Sequence, residues 1–331
     1  MKDIIQKRSE LLVSNWSIIH KAFCFEDNLV KTIAAASFAE KDKTADVELI
    51  KDCRKLLREK QGIFSDFRGE NEVIVSTKMA LSGNPEKYLD EIIEVYKLLQ
   101  KGKFFSSSYR ILSAMSVCDA GRFSEAEKIV EKTNTLLNGM KKKHPFIATD
   151  EDTCFATLLA MTGREVDDLL AELEEAYPYI KKSFALHENS AYSLAQILTI
   201  HKGSIEDKRD KVLDIYDTFK AKGAPYGKEF ELASLGALLD IDADKDELVS
   251  EIIEVSEFLK GHKGFGMLDM SKHTKLMIGT MIIAGAYSSD NLNTESIVGN
   301  TITGLITEQI AMAALYTVII TSSVVAASSS N

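Results

Sequence analysis

Apolar residues recur along most of this chain at spacings of three and four positions, which mark one face of an α-helix. The clearest stripe contains Val166, Leu169, Leu170, Leu173, Tyr177 and Ile180. A second stripe of the same kind covers residues 88–99. No segment sustains the alternation of apolar and polar residues that a strand requires, so the pattern predicts an all-α fold.

The helical pattern also repeats. Each copy has a short apolar helix, a polar turn, and a longer helix that begins with acidic residues and is closed by Lys or Gly near an aromatic residue. Six copies cover residues 36–64, 80–105, 114–146, 160–184, 197–227 and 238–266. The positions that close the long helices lie 38 to 41 residues apart. Since a helix pair cannot bury its apolar stripe alone, this period predicts an α-solenoid (an α/α superhelix) of about six stacked, HEAT-like units.

Local signals indicate where the helices begin and end. Asn84 followed by Pro85 predicts a helix start, because Asn caps a helix and Pro fits its first turn. Thr149 with Asp152 three positions later predicts a second start. Glycines after lysine-rich last turns predict left-handed stops at Gly62, Gly102, Gly223 and Gly261. The short first helices are the more apolar ones, so we expect them to form the more buried layer.

The composition changes near the C-terminus, where no Lys or Arg follows Lys275. We therefore predict a helical-repeat array over residues 1–275 and apolar C-terminal helices over 276–331, packed together as one continuous domain. Residues 310–327 form an uncharged run of 18 residues, which is long enough for a membrane span. Its Ala, Ser and Thr content and the lack of flanking basic residues favour a buried capping helix or a homodimer interface instead.

Charge and cysteine usage narrow the class of protein. The 331 residues carry a net charge of −10, which argues against a nucleic-acid partner because phosphate binding needs clustered positive charge. The 4 cysteines lie too far apart for a zinc or redox motif. The first residues mix charged and apolar side chains, unlike a signal peptide, so the expected location is the cytoplasm.

One segment resembles a calcium-binding loop. It places carboxylates at the EF-hand positions 1, 3, 5, 7 and 12, namely Asp240, Asp242, Asp244, Asp246 and Glu251. However, Lys245 stands where the loop needs Gly, and Glu247 stands where it needs an apolar residue. The segment is also the turn of a repeat unit, where acids cap the next helix. We therefore predict no metal site and no cofactor, with these five carboxylates as the metal-binding candidate that remains.

A second candidate is the segment 144–152, in which His144 lies near Asp150 and Asp152. No nucleophile elbow, kinase signature, phosphate loop or dinucleotide fingerprint accompanies it. Three hypotheses for the function follow. The first is a non-enzymatic scaffold that binds a protein or peptide on its concave face, and the second is an enzyme whose site is assembled between helices around those three residues. The third is a membrane protein anchored by its tail.

Three segments resemble a known family. They read FRGENEVIVSTKMALSGNPEKYLDEIIEVYKLL, KKKHPFIATDEDTCFATLLAMTGREVDDLL and EFLKGHKGFGMLD, and an Ala- and Ser-rich end follows them. Over nearly the whole chain, from about residue 23, this order of segments is similar to the bacterial domain-of-unknown-function family numbered 4003, which is common in Firmicutes. The resemblance implies a cytoplasmic bacterial protein of unassigned activity, and it supplies no catalytic residues.

Overall fold

The computed structural model describes residues 1–63 and 65–290, and this part of the chain is helical without any strand. The helices are α1 (Asp3–Ala22), α2 (Asn28–Glu40), α3 (Val47–Lys60), α4 (Glu70–Leu81), α5 (Pro85–Gln100), α6 (Ser108–Asp119), α7 (Ala126–Lys143), α8 (Thr153–Met161), α9 (Val166–Ser183), α10 (Glu188–Ile200), α11 (Ile205–Ala221), α12 (Lys245–Lys260) and α13 (Lys272–Asp290). A longer 3₁₀ helix, Phe230–Leu238, lies between α11 and α12. The predicted all-α class is therefore confirmed.

The helices form two layers. The outer helices, α1, α3, α5, α7, α9, α11 and α12, bury mainly one face; α9, for example, buries Leu169, Leu173 and Ile180 of the predicted stripe. The inner helices are α2, α4, α6, α8, α10, the 3₁₀ helix and α13. They are buried nearly all round, and in α8 every residue from Thr153 to Ala160 is buried. The expectation that the short, apolar helices form the more buried layer is confirmed.

Most of the predicted helix ends are correct, because they depend on local chemistry. The Asn84 side chain accepts a hydrogen bond from the Lys87 N–H at 3.2 Å, with Pro85 in the first turn. Left-handed stops are present at Gly102 (φ 76°) and Gly223 (φ 72°). The prediction is wrong at Gly62 and at Gly261, where φ is −75°. There α12 ends in a tightened turn, in which the Gly261 N–H donates to the Phe258 carbonyl at 3.2 Å.

Each outer helix packs against the inner helix that follows it in the chain. The described residues form seven such pairs: α1 with α2, α3 with α4, α5 with α6, α7 with α8, α9 with α10, α11 with the 3₁₀ helix, and α12 with α13. The six units predicted from the sequence begin with the inner helix instead. The packed pairs therefore cross the predicted unit boundaries, and the terminal helices α1 and α13, which lie outside the six units, complete the first and the last pair.

The two ends of the array meet. Each outer helix contacts the next one, and the last of them, α12, contacts α1. At this seam the Trp16 Nε1 donates to the Asn28 Oδ1 at 3.1 Å, and the Asn28 Nδ2 donates to the Gly264 carbonyl at 2.7 Å. Gly264 (φ 88°) lies so close to Trp16 that a Cβ would come within 2.2 Å of the indole ring. The helix pairs thus form a closed ring, a curvature that the repeat spacing does not determine.

The C-terminal segment continues this packing as far as the structure describes it. Helix α13 contacts α12, the 3₁₀ helix and α1. The uncharged run 310–327, the predicted capping helix and the homodimer interface based on it lie outside the described residues. Among the helices of residues 1–63 and 65–290, none is long and apolar enough to cross a membrane.

Candidate functional site

The structure gives His144, Asp150 and Asp152 separate partners. The His144 Nε2 lies 3.0 Å from the Glu174 Oε1, and its ring meets two tyrosine rings edge-on. Asp150 pairs with the buried Arg110 and accepts a hydrogen bond from Lys141 at 2.8 Å. The three side chains that the sequence places close together are therefore not brought together as one acid–base group.

Asp152 has a structural role at the start of α8. Its Oδ2 accepts the Thr149 N–H at 2.7 Å, completing the predicted capping box, and its Oδ1 accepts the Gln196 amide at 2.5 Å. Burial raises the pKa of Asp152 to about 6, and the hydrogen bonds from Thr149 and Gln196 only partly oppose this. The Oε1 atom of Gln196 and the hydroxyl of Tyr192 are buried there without a hydrogen-bond partner.

We expect Asp152→Asn to stabilise the protein by about 1–2 kcal/mol above about pH 7. The folded-state pKa of about 6 exceeds the ordinary value of 3.8, so the unfolded chain binds fewer protons between these values and stability falls as the pH rises. An asparagine removes the buried charge, and the Gln196 amide can turn so that its unpartnered Oε1 accepts from the new Nδ2. Urea unfolding from about pH 4 to pH 8 measures the effect, and an unchanged pH slope between about pH 4 and pH 6 would contradict it.

The neighbouring variant Asp150→Asn is the matched control and should have the opposite effect. Burial by itself would raise the pKa of Asp150, but the Lys141 hydrogen bond and the charges of Arg110 and Lys141 hold this pKa below its ordinary value. Because Arg110 is buried, loss of the carboxylate should destabilise the fold by about 1–2 kcal/mol, a figure reduced for the partial exposure of Asp150. Stabilisation by both variants would show that burial alone governs the two carboxylates.

The carboxylates of the EF-hand-like segment also have separate partners. Asp244 caps α12 by accepting the Glu247 N–H at 3.0 Å, and Asp240 lies 2.8 Å from the His201 Nδ1. Asp246 pairs with Lys222, Asp242 is exposed, and Glu251 lies against Lys2 and Tyr287 at the seam. Within residues 1–63 and 65–290, no three His, Cys, Asp or Glu side chains form a group that could hold a metal ion. The helix-capping role expected for this turn is the one that Asp244 has.

A different surface emerges at one end of the ring. Because each outer helix forms a hairpin with the next inner helix, the loops that follow the outer helices lie together at that end. Contacts join successive loops, or the first turns of the inner helices that follow them: Asn71 with Ser108, Arg110 with Asp150, His187 with Glu229, Lys272 with Gly223, and Asn28 with Gly264. We call this end the loop rim, and it comprises residues 23–27, 61–63, 65–69, 101–107, 144–152, 184–187, 222–229 and 261–271.

The loop rim exposes large apolar side chains. In the described part of the chain ten such side chains are exposed, and eight of them lie on this rim: Phe25, Ile63, Phe104, Phe105, Phe146, Leu186, Met267 and Leu268. Each of the eight is at least 73% exposed, and together they come from six of the seven loops. The other two, Leu49 and Tyr179, lie on outer helices and are only 36% and 41% exposed. Exposed apolar side chains concentrated on one surface mark an interaction site.

Basic side chains surround these apolar residues. The outer helices end at the loop rim, and the last turns of all seven contain Lys, Arg or His. Their first turns, at the opposite end of the ring, all contain Asp or Glu. Exposed lysines at this end of the ring are Lys101, Lys222, Lys228 and Lys263 in the loops, and Lys21, Lys142, Lys143 and Lys182 in the helix ends that precede them. The end of the ring that carries the loop rim is therefore apolar, and it owes its positive charge to the last turns of the outer helices. The loops themselves also contain acids, namely Glu26, Asp27, Asp66, Asp150, Glu151, Asp152, Glu229 and Asp269.

Comparison with known proteins gives a family and no activity. A family model described as "Protein of unknown function (DUF4003)" matches residues 15–311, a range that includes every loop of the rim. No curated protein and no solved structure matches the chain. The match covers most of the chain and agrees with the resemblance of its sequence segments. The chain therefore belongs to the DUF4003 family.

Proposed function

We propose that this protein is a non-enzymatic scaffold whose closed ring of helix pairs presents the loop rim to a partner. The observation that carries the proposal is the concentration of eight exposed apolar side chains at this one end. Isolated exposed apolar residues are ordinary on a soluble protein, but a shared surface of them is retained where it is covered in function. Neither the segment 144–152 nor the EF-hand-like segment supports a catalytic or metal-binding function, because the side chains of each segment make separate structural contacts.

The loop rim is a better partner surface than the concave face. A solenoid generally binds through the side chains that line its concave side, which belong to the inner helices. Here those helices are buried nearly all round, as α2, α6 and α10 illustrate. The partner therefore has more accessible side chains at the loop rim than inside the ring.

We further propose a cytoplasmic location in a bacterium. The four cysteines are free; Cys24 is exposed, whereas Cys53, Cys118 and Cys154 are buried. Free thiols, one of them exposed, are what a reducing compartment allows.

A triple variant, Phe104→Ser, Phe105→Ser and Phe146→Ser, tests the scaffold; we call it the rim variant. A tagged chain is expressed at a low level in bacteria, and native lysates that still contain membranes are fractionated by size. We expect wild type to migrate with larger cell components and the rim variant to migrate as free chain. Because all three phenylalanines are exposed, the melting temperature should not change.

Leu49→Ser is the matched control, since Leu49 is an exposed apolar residue away from the loop rim. It should migrate like wild type. A wild-type chain that migrates free, or a rim variant that keeps the large components, would overturn the proposal.

A further inference from the structure

We infer that the partner of the loop rim is the surface of an anionic phospholipid bilayer, on which the ring lies with this end down. The inference rests on the proposed scaffold and names what the scaffold binds. It concerns binding of the loops to the membrane surface, and it requires no membrane-spanning segment.

The distribution of the apolar residues favours a flat, extended partner. They come from six loops placed in order around one end of a closed ring, where the first loop region contacts the last through Asn28 and Gly264. A single peptide or helix would reach only neighbouring loops. A bilayer surface can contact all of them at once. Several side chains that each insert weakly then give strong binding, because they belong to one rigid body.

The chemistry of the exposed residues fits the interface of a bilayer. Phe, Leu, Ile and Met side chains enter the boundary between headgroups and acyl chains, while neighbouring lysines attract anionic headgroups. Phe104 and Phe105 follow Lys101, and Phe146 follows Lys142 and Lys143. Within the described residues neither Lys142 nor Lys143 forms an ion pair, and both are exposed. Each of these two loops thus combines apolar and cationic groups.

The charge distribution also orients the ring. The outer helices begin with acids at the end opposite the loop rim and end with basic residues beside it. An anionic surface therefore attracts the loop rim and repels the opposite end. This asymmetry explains how a chain of net charge −10 can approach a negative surface in one orientation.

Two other occupants fit less well. A second copy docked rim to rim would bring two sets of basic residues together, which like-charge repulsion disfavours. As for a segment of this chain, the described part leads away from the loop rim: α13 runs towards the opposite end, where its Tyr287 contacts Lys2 beside the start of α1. The bilayer surface is the occupant that matches both the apolar and the basic groups.

Vesicle flotation of the full chain tests the inference. One set of vesicles contains phosphatidylcholine alone, and the other contains equal parts of phosphatidylcholine and phosphatidylglycerol. We expect wild type to float with the anionic vesicles, to float much less with the neutral ones, and to be released by high salt. The rim variant should bind the anionic vesicles about tenfold more weakly than wild type, or more weakly still. Leu49→Ser should bind them as strongly as wild type does.

The charge requirement has its own pair of variants. Lys142→Gln with Lys143→Gln should weaken flotation with anionic vesicles about tenfold or more, on the basis of about 1 kcal/mol for each lysine near the surface. Lys43→Gln with Lys202→Gln removes two exposed lysines from loops at the opposite end and should leave flotation unchanged. Equal effects of the two pairs would show that net charge, and not the loop rim, governs binding.

Cys24 allows contact between the loop rim and the bilayer to be measured directly. It is exposed next to Phe25, whereas the other cysteines are buried, so a polarity-sensitive fluorophore can be attached there without a substitution. Its emission should shift to the blue when anionic vesicles are added.

The inference is overturned if wild type does not float with anionic vesicles, or if the rim variant floats equally well. If flotation fails but the rim variant still loses its large components in the lysate, the scaffold stands and its partner is a protein. If wild type does not float and forms dimers that the rim variant lacks, the loop rim is a contact between two copies.

Discussion

Trp16→Ala is expected to lower the free energy of unfolding by about 3–5 kcal/mol and to open the ring between its first and last helix pairs. The indole is only 2% exposed and fills the seam against Gly264 and Phe265, with a ring-centroid distance of 5.8 Å to Phe265. Its Nε1 also donates to Asn28, which in turn donates to the Gly264 carbonyl. Truncation leaves a cavity and removes this link, so both packing and hydrogen bonding are lost at the point of closure.

Urea unfolding measures the loss of stability, and amide hydrogen exchange locates it. We expect faster exchange in α1 and in residues 261–271, with little change in α7, on the far side of the ring. Asn28→Ala is a milder variant that keeps the only tryptophan of the chain as a fluorescence probe of the seam. Its emission should shift to the red as water reaches the indole. Uniformly faster exchange in all helices would contradict a local opening.

The seam shows where prediction from sequence ends. Helix starts such as Asn84–Pro85 depend on residues within one turn, so the sequence is sufficient for them. Ring closure depends on the bond between Asn28 and Gly264, which are 236 positions apart. Repeat spacing determines that pairs stack, but the curvature accumulates from small rotations between them. The total curvature therefore cannot be predicted from any local pattern in the sequence.

The loop rim was partly visible in the sequence. Each predicted unit ends in basic residues and an aromatic residue, and most of these endings contain a glycine. The exposure of these endings could not be predicted, because the aromatic residues of the loops are buried at some positions and exposed at others. Phe23 and Phe265 are buried, whereas Phe25 and Phe105 are exposed.

The two acids at the start of α8 show that pKa values are equally hard to predict from the sequence. Asp150 and Asp152 are two positions apart, yet the pKa of the first is lowered and that of the second is raised. Their partners, Arg110 and Gln196, come from helices 40 and 44 positions away. The capping box could be predicted from Thr149 and Asp152, but the burial that sets the pKa could not.

A second large effect is expected at Glu72, a buried carboxylate near the start of α4. It accepts hydrogen bonds from Arg54 at 2.7 Å and from Arg58 at 2.6 Å, and the Arg68 Nε lies 2.9 Å away. Burial by itself would raise the pKa of Glu72, but the hydrogen bonds from Arg58 and Arg54 hold it below its ordinary value of 4.5. Three guanidinium groups at the base of one rim loop therefore share this carboxylate, and Arg54 pairs with Glu26 at 3.0 Å as well.

Glu72→Gln should lower the free energy of unfolding by about 3–5 kcal/mol at neutral pH, because it leaves the partly buried Arg58 and Arg68 without their counter-charge and leaves Arg54 with Glu26 alone. Since the folded-state pKa is depressed, the contribution of Glu72 is complete above the unfolded value of 4.5 and is lost as the pH falls through the lower folded value. The stability difference between wild type and variant should therefore shrink below about pH 4. Glu48→Gln is the control: its side chain is 81% exposed and, among residues 1–63 and 65–290, pairs only with Lys51, so the loss should stay below about 1 kcal/mol. A Glu72→Gln penalty that does not change with pH would show that shape, and not charge, is what the three arginines require.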